Sequence, residues 1–232
     1  MSRLLVIGDI HGYCQELQEL LAIAHVTSDD TIVFLGDYGD RGVNTPGVIQ
    51  TIIDLPCKHI DLLGNHDIWL RDWLNTGIRN KAWYDNDQVI TQYINSGLDW
   101  NLHRDFLLNT KPYYEQDGYV FVHGGYTSRH GIGHEPFETN YSWDRTLVEI
   151  VISAQEIPHK LTHHREVFVG HSPTINYQIK SNGRIGDRME GHPAITTPIN
   201  KFNFWMLDTG ICYEGKLTCM DVNTKQIWQT GK

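Results

Sequence analysis

A short apolar run, a turn built on Gly-Asp or Gly-Asn, and then a helical pattern recur in the first third of the chain, and this repeat constrains the fold more than any other feature. Leu4–Ile7 leads into Gly8-Asp9-Ile10-His11-Gly12, followed by Leu17, Leu20, Leu21 and Ala24 at helical spacing. Thr31–Leu35 leads into Gly36-Asp37, then Pro46 near a helix start with Val48, Ile49, Ile52 and Ile53 on one face. His59–Leu63 leads into Gly64-Asn65-His66-Asp67. Asp9, Asp37 and Asn65 recur every 28 residues, close to the roughly 30-residue length of a strand–helix–strand unit. Right-handed crossovers lay such strands side by side and parallel. Each polar residue then stands just past a strand's carboxyl end, the edge where open α/β sheets bind ligands. Topology alone therefore gathers Asp9, Asp37 and Asn65.

Further along, residues 67–112 read as a mostly helical insert rich in tryptophan (Trp69, Trp73, Trp83, Trp100), whose rings we read as packing rather than base stacking. Tyr119–Val122 reads as a strand ending at His123-Gly124-Gly125, and Val167–Val169 as a strand ending at Gly170-His171. A helix is expected over 143–154, and loops over 175–200. Strand-like runs at 202–207, 217–222 and 226–229 suggest an antiparallel hairpin or meander. With no linker or internal repeat, residues 1–232 are expected to form a single α/β domain.

A net charge of −9 disfavours non-specific binding to nucleic acid or to anionic membranes, while leaving room for a local positive pocket around bound cations. Cys14, Cys57, Cys212 and Cys219 form no C-x-x-C pair, so they read as reduced thiols, with Cys212 and Cys219 in packing roles. The opening apolar run is too short for a signal-peptide core and nothing is long enough to cross a membrane, so a cytoplasmic location is expected. Thirteen histidines invite a metal reading. His130, His134, His159, His163, His164 and His192 lack a strand-end context and read as solvated loop residues.

Five strand ends remain: Asp9 with His11, Asp37, Asn65 with His66, His123, and His171. Carboxylate, imidazole and amide oxygen together suit manganese, iron or zinc better than calcium or magnesium. One ion cannot use so many donors, whereas two ions sharing Asp37 can. Asp40-Arg41-Gly42 adds a carboxylate able to orient a histidine and a guanidinium fork for phosphate. Glycines at 8, 36 and 64 allow tight turns off the strands, and those at 124, 125 and 170 would let an ion or phosphate approach the backbone.

These motifs, Gly-Asp-Ile-His-Gly, Gly-Asp-Tyr-Gly-Asp-Arg-Gly, Gly-Asn-His-Asp, His-Gly-Gly and Gly-His, resemble in order and spacing the motif set of the metallo-dependent phosphoprotein phosphatases. The resemblance covers residues 4 to about 171, with a weaker similarity at Leu207-Asp208-Thr209-Gly210, and implies two packed mixed β-sheets flanked by helices, the calcineurin-like sandwich. It implies that Asp9, His11 and Asp37 hold one divalent ion, manganese above all, and that Asp37, Asn65, His123 and His171 hold a second. It implies a hydroxide bridging the ions that attacks phosphorus in line, His66 as proton donor paired with Asp40, and Arg41 as a phosphate clamp. Trp143-Asp144-Arg145 matches the family's Trp-x-Arg context, making Arg145 the second clamp; otherwise Arg145 is a surface helix residue paired with Glu149. Gly39 stands where the family has an apolar residue. The Ser-Ala-Pro-Asn-Tyr-Cys stretch of eukaryotic members is absent, and Leu207–Cys212 resembles bacterial and phage members instead.

The leading expectation is a serine/threonine protein phosphatase. The runner-up is a bis(5'-nucleosyl)-tetraphosphatase, whose substrate needs room for two nucleosides that the 67–112 insert could line. A reading of another class is a metal-dependent protein that binds a phosphorylated ligand without turnover; His66, Asp40 and Arg41 argue against it, because a binder has no use for a proton donor.

Overall fold

The computed structural model describes residues 2–83 and 86–231. In chain order β1 (Leu4–Ile7), α1 (Cys14–Ile23), β2 (Thr31–Phe34), α2 (Thr45–Ile53) and β3 (Lys58–Asp61) alternate as the opening repeat predicts. Next come α3 (Asn65–Thr76), α4 (Asn86–Ser96) and α5 (Trp100–Leu108), the predicted helical insert, in which positions 84 and 85 lie outside the described residues. The remainder is β4 (Tyr113–Gln116), β5 (Tyr119–Val122), α6 (Asn140–Trp143), α7 (Thr146–Ser153), β6 (Glu166–Val169), β7 (Tyr177–Ile179), β8 (Ile185–Asp187), β9 (Ile199–Lys201), β10 (Phe204–Met206), β11 (Leu217–Asp221) and β12 (Ile227–Thr230). Among the described residues no helix is long and apolar enough to cross a membrane.

Two mixed sheets form, ordered β12-β11-β1-β2-β3 and β4-β5-β6-β10-β9, with β7 and β8 pairing apart. In the first, β1, β2 and β3 are mutually parallel, with Leu4 opposite Thr31 and Thr31 opposite Lys58. In the second, β5, β6 and β10 are mutually parallel. The strands read as nearly unbroken apolar runs because both faces are covered. Val6, Val33 and Leu35 of the first sheet meet Phe121, Phe168 and Leu207 of the second, so one set of alternate side chains forms the seam between sheets. The other set, Leu5, Ile7, Ile32 and Phe34, packs under α1, α2 and the insert. On the far side Val120, Val122, Val167 and Val169 pack under Leu147, Val148 and Val151 of α7. Each such buried aliphatic side chain contributes about 1.5–3 kcal/mol. Trp73 and Trp83 pack with Tyr93 in the insert's core, the role expected for these rings.

Three expectations are corrected. The helix expected over 143–154 forms only from Thr146, as α7, and Trp143 ends the separate helix α6. The Asp144 backbone is extended (ψ 131°), and its carboxylate accepts the N–H groups of Thr146 and Leu147, each at 3.1 Å. A capping carboxylate competes with helix continuation, and here it wins. Residues 175–200 are not all loop: β7 and β8 form a hairpin across Asn182-Gly183, with Gly183 at φ 76°, and β9 joins the second sheet. The C-terminal strands are shared between sheets, since β10 lies parallel to β6 whereas β11 and β12 form the expected antiparallel pair in the first sheet. Alternation within a strand does not say which distant strand it joins. β4, which the sequence reading passed over, meets β5 through Asp117-Gly118, both left-handed (φ 53° and 79°), a two-residue hairpin turn.

Asp30 ties the first two strands together. Its carboxylate accepts Arg3 Nε at 2.9 Å, Arg3 Nη2 at 2.6 Å and the Thr27 backbone N–H at 2.8 Å. The hydrogen bond from Arg3 holds the Asp30 carboxyl well below the usual carboxylate range, against the effect of burial. A depressed folded-state pKa means this stabilisation is full above the unfolded value and is lost as pH falls below about 4. We expect Asp30→Ala to cost about 2–3 kcal/mol at pH 7 by urea unfolding, with the gap to wild type narrowing as the pH is lowered toward 2.

Candidate metal centre

The carboxyl ends of β1, β2 and β3 deliver Asp9, Asp37 and Asn65, and those of β5 and β6 deliver His123 and His171; all are buried. A further strand end, after β10, delivers buried Asp208, which sequence reasoning left without a role. Its signal was present: the apolar run 202–207 ends in Asp208-Thr209-Gly210, the same strand-end pattern as the others. A cavity of about 110 Å³ is lined by Asp9, His11, Asp37, Asn65, His171 and Asp208, with Arg41, His66 and Arg145 on its walls. Eight of the ten candidate site residues therefore line this cavity, and Asp40 and His123 stand behind His66 and Asn65.

Asp37 stands at the middle. Its Oδ2 lies 3.6 Å from His11 Nε2 and its Oδ1 lies 3.5 Å from His123 Nε2, so each oxygen faces a different imidazole. Donor atoms of His11, Asp37 and His66 lie within 4.8 Å of one another, and so do those of Asp37, His123 and His171. On the first side His66, rather than Asp9, completes the close triad. Asp9 is held by the His171 backbone N–H, 3.1 Å from each of its oxygens.

The turns that aim these groups are strained. His11, Asp37, Asp40, Arg41 and His171 all have positive φ, between 51° and 68°. Each such non-glycine residue costs of order 1–3 kcal/mol and persists only where its surroundings enforce it. Asp67, at the start of α3, supplies much of that enforcement. Its carboxylate accepts the backbone N–H groups of Asp37 (2.7 Å), Tyr38 (2.8 Å) and Gly64 (2.9 Å). A Cβ on Gly64 would lie 2.2 Å from Asp37 Oδ1, and one on Gly170 would lie 2.3 Å from Asp9 Oδ1. The room at Gly170 thus serves the Asp9 carboxylate rather than an ion. At Gly124 and Gly125 it serves Asp144, whose atoms would lie 2.8 Å and 2.5 Å from added Cβ atoms.

The donor set fits divalent cations. His11 Nδ1 bonds Gly39 O at 3.0 Å and His123 Nδ1 bonds Leu35 O at 2.8 Å, which places a proton on each Nδ1 and turns each Nε2 toward Asp37. His171 Nε2 is buried at the site without a hydrogen-bond partner. Burial pushes His11 down to about 4, and burial together with His123 pushes His171 down to about 2, so both imidazoles are neutral at pH 7, the form that ligates. Burial and the neighbouring Asp208 and Asp37 push Asp9 well up, and burial lifts Asp208 to about 6. Asp37 runs the other way: despite burial, His123 and His66 hold it well below the usual range. Crowded carboxylates with neutral imidazoles match a site built for positive charge, and the mixture of nitrogen and oxygen donors matches a transition metal.

Around this core, His66 Nδ1 bonds Asp40 Oδ2 at 2.6 Å, Arg145 Nη1 donates to His171 O at 3.2 Å, and the Arg41 guanidinium lies 5.5 Å from the centroid of the Tyr213 ring. The break between α6 and α7 is what turns Arg145 toward His171 and away from the helix surface on which the pairing with Glu149 was envisaged. Of the histidines read as solvated, His130, His134, His159, His163 and His192 are exposed, whereas His164 is half-buried. The four cysteines carry free thiols.

The sequence matches the model of the calcineurin-like phosphoesterases over residues 2–203. The chain belongs to this family. This metallophosphoesterase is 32% identical over 123 residues to a symmetrical bis(5'-nucleosyl)-tetraphosphatase of Paraburkholderia phymatum, a match covering 52% of this chain and 41% of that protein. The chain spans less than half the length of the named relatives it matches. Its fold is shared with a metallophosphoesterase from Sphaerobacter thermophilus (TM-score 0.56, 15% identity, 97% of this chain and 86% of that one). It is shared too with a serine/threonine phosphatase from Saccharomyces cerevisiae (TM-score 0.56, 12% identity, 100% of this chain and 80% of that one).

Because Asp67 anchors three backbone N–H groups, Asp67→Ala leaves buried donors unpaired and is expected to cost about 3 kcal/mol or more. Urea unfolding of the metal-free metallophosphoesterase measures this; a loss under 1 kcal/mol would show that the left-handed turns are held by other contacts.

Proposed function

We propose that this chain is a two-metal phosphoesterase whose substrate is a dinucleoside tetraphosphate. The observation that carries this reading is the continuity of the site: the donor-lined cavity shares Asn176 with an open hollow of about 560 Å³. That hollow has room for a nucleoside beyond the reacting phosphate. Met189 offers a base an apolar surface, and the carboxylates of Asp187 and Glu190 can accept ribose hydroxyls. The named activity of the relatives supports the same choice. The hollow is lined by residues 175–176 and 187–191, so the role first envisaged for the 67–112 insert, lining room for nucleosides, passes to the segments that flank the β7–β8 hairpin.

In this reading Asp9, His11 and Asp37 hold one cation, Asp37, Asn65, His123 and His171 hold the other, and manganese is the ion of choice, with iron or zinc also suited to the donors. When bound, such a pair neutralises phosphate charge and lowers the pKa of water to near 7, which supplies the nucleophile at neutral pH. Arg41 and Arg145 direct N–H groups at the non-bridging oxygens and stabilise the charge that grows on them. His66 is the proton donor. Asp37 and the hydrogen bond to Asp40 raise its pKa against the effect of burial, and Asp40 engages Nδ1 so that Nε2 is left for the leaving oxygen. One observation favours a second reading, serine/threonine phosphatase: the buried Asp40–His66 pair is the equipment that a poor, alkoxide leaving group requires.

With manganese present, diadenosine tetraphosphate should yield two ADP by chromatography, at a kcat/KM at least about tenfold above that for a phosphoserine peptide. The opposite ranking would transfer the assignment to protein dephosphorylation, and inertness toward both substrates and p-nitrophenyl phosphate would leave a binding protein. Asp37→Ala should lose both metals by elemental analysis. His66→Asn should keep them and lose about 10²-fold or more in kcat toward phenyl phosphate.

A further inference from the structure

The insert reaches the site from behind. Trp83, completely buried, donates its indole N–H to Asp40 Oδ1 at 2.7 Å, while the other oxygen of the same carboxylate, Oδ2, bonds His66 Nδ1 at 2.6 Å. The two contacts share one carboxylate, on a residue that is itself 1% exposed and left-handed at φ 68°. The insert grips the following turn as well. Gln92 Nε2 and Gln88 Nε2, both on α4, donate to Gly42 O at 2.8 Å and 3.1 Å, and Gln92 Oε1 accepts the Thr45 N–H at 2.7 Å. The indole ring is fixed in turn by Trp73, whose ring centroid lies 6.2 Å away.

We propose that Trp83 is a positioning residue for the proton donor: its N–H fixes the rotamer of Asp40, and Asp40 thereby aims the His66 ring at the leaving oxygen. Packing explains a buried aromatic ring. It does not explain why the ring's single polar atom points at the carboxylate that holds the acid. The family roles assign Asp40 and His66 but nothing from the insert, so this gives the insert a part in turnover. In the step concerned, the bond between phosphorus and the leaving oxygen breaks, its electron pair goes to that oxygen, and the oxygen takes the proton from His66 Nε2. Water supplies the new oxygen on phosphorus. A mis-aimed imidazole slows this step only where the leaving oxygen needs the proton.

This inference rests on His66 being the donor, and leaving-group dependence separates the two ideas. Phenyl phosphate needs protonation of its leaving oxygen, whereas 2,4-dinitrophenyl phosphate does not. In the manganese-loaded full chain, Trp83→Phe should lower kcat for phenyl phosphate about tenfold, with KM unchanged, and change kcat for 2,4-dinitrophenyl phosphate less than about twofold. Should the phenylalanine variant not fold, Trp83→benzothienylalanine keeps the bicyclic shape and removes only the donor. Equal losses on both substrates, or no loss on either, would overturn the positioning role. His66→Asn serves as the reference: if it too loses equally on both substrates, the proton-donor assignment fails and takes this inference with it. If it is selective while the Trp83 variants are not, only the inference falls.

Discussion

The Asp67 carboxylate joins the end of β2 to the start of α3 by accepting the N–H groups of Asp37, Tyr38 and Gly64. With those amides engaged, Asp37 can stay left-handed at the end of its strand, and its two oxygens are presented to imidazoles on opposite sides. The neighbouring contacts lean on the same geometry. His66 N–H donates to Asp37 Oδ1, His11 N–H donates to Asp37 O, and Gly12 N–H donates to Tyr38 O. One buried acceptor therefore sets the relation between the first three strand ends. The backbone strain held there is balanced by hydrogen bonds within the fold, not by the ligand.

Burying Asp9, Asp37 and Asp208 together carries an electrostatic cost, because ionised groups out of water need compensation. Part comes from imidazoles, as the depression of Asp37 by His123 records. The rest shows as raised pKa values: Asp67 is lifted to about 7 by burial and by Asp37, and Asp208 to about 6 by burial. Divalent cations would reverse those shifts and convert repulsion into coordination. The fold thus accepts a charge arrangement that suits the loaded protein better than the metal-free one, and metal affinity and folding stability become linked.

The first sheet and the gathering of Asp9, Asp37 and Asn65 were legible because three similar units follow one another, so local periodicity and crossover handedness sufficed. The second sheet was less legible. β10 joins β6 in parallel from 35 or more residues away, and nothing in its own run names that partner. Asp208 was passed over for that reason, although its strand-end signal matched the others. Trp83 was read correctly as packing and incompletely as chemistry, since sequence spacing cannot show where an indole N–H points. The break at Asp144 was concealed by the apolar pattern of 147–151, which fits one helix as well as two. The sequence carried each residue's chemistry well. It carried partner choice across long separations poorly.

The donors are divided between the two sheets. Past β1, β2 and β3 stand carboxylates, an amide and the His11 imidazole, while β5 and β6 end in imidazoles and β10 in a carboxylate. Neither sheet holds a complete set. Asp37 reaches His11 within its own sheet but needs His123 and His171 from the other, and Arg145 reaches His171 only because α7 packs on that second sheet. The site is therefore assembled by the seam where Val6, Val33 and Leu35 meet Phe121, Phe168 and Leu207. Because side chains alternate along a strand, a one-residue slip in either sheet would turn these groups away from the seam and shift the strand ends by about 3.3 Å, comparable to the 3.5 Å between Asp37 and His123. The apolar pattern of the strands and the geometry of the candidate metal centre are thus one specification, read at two places along the same chain.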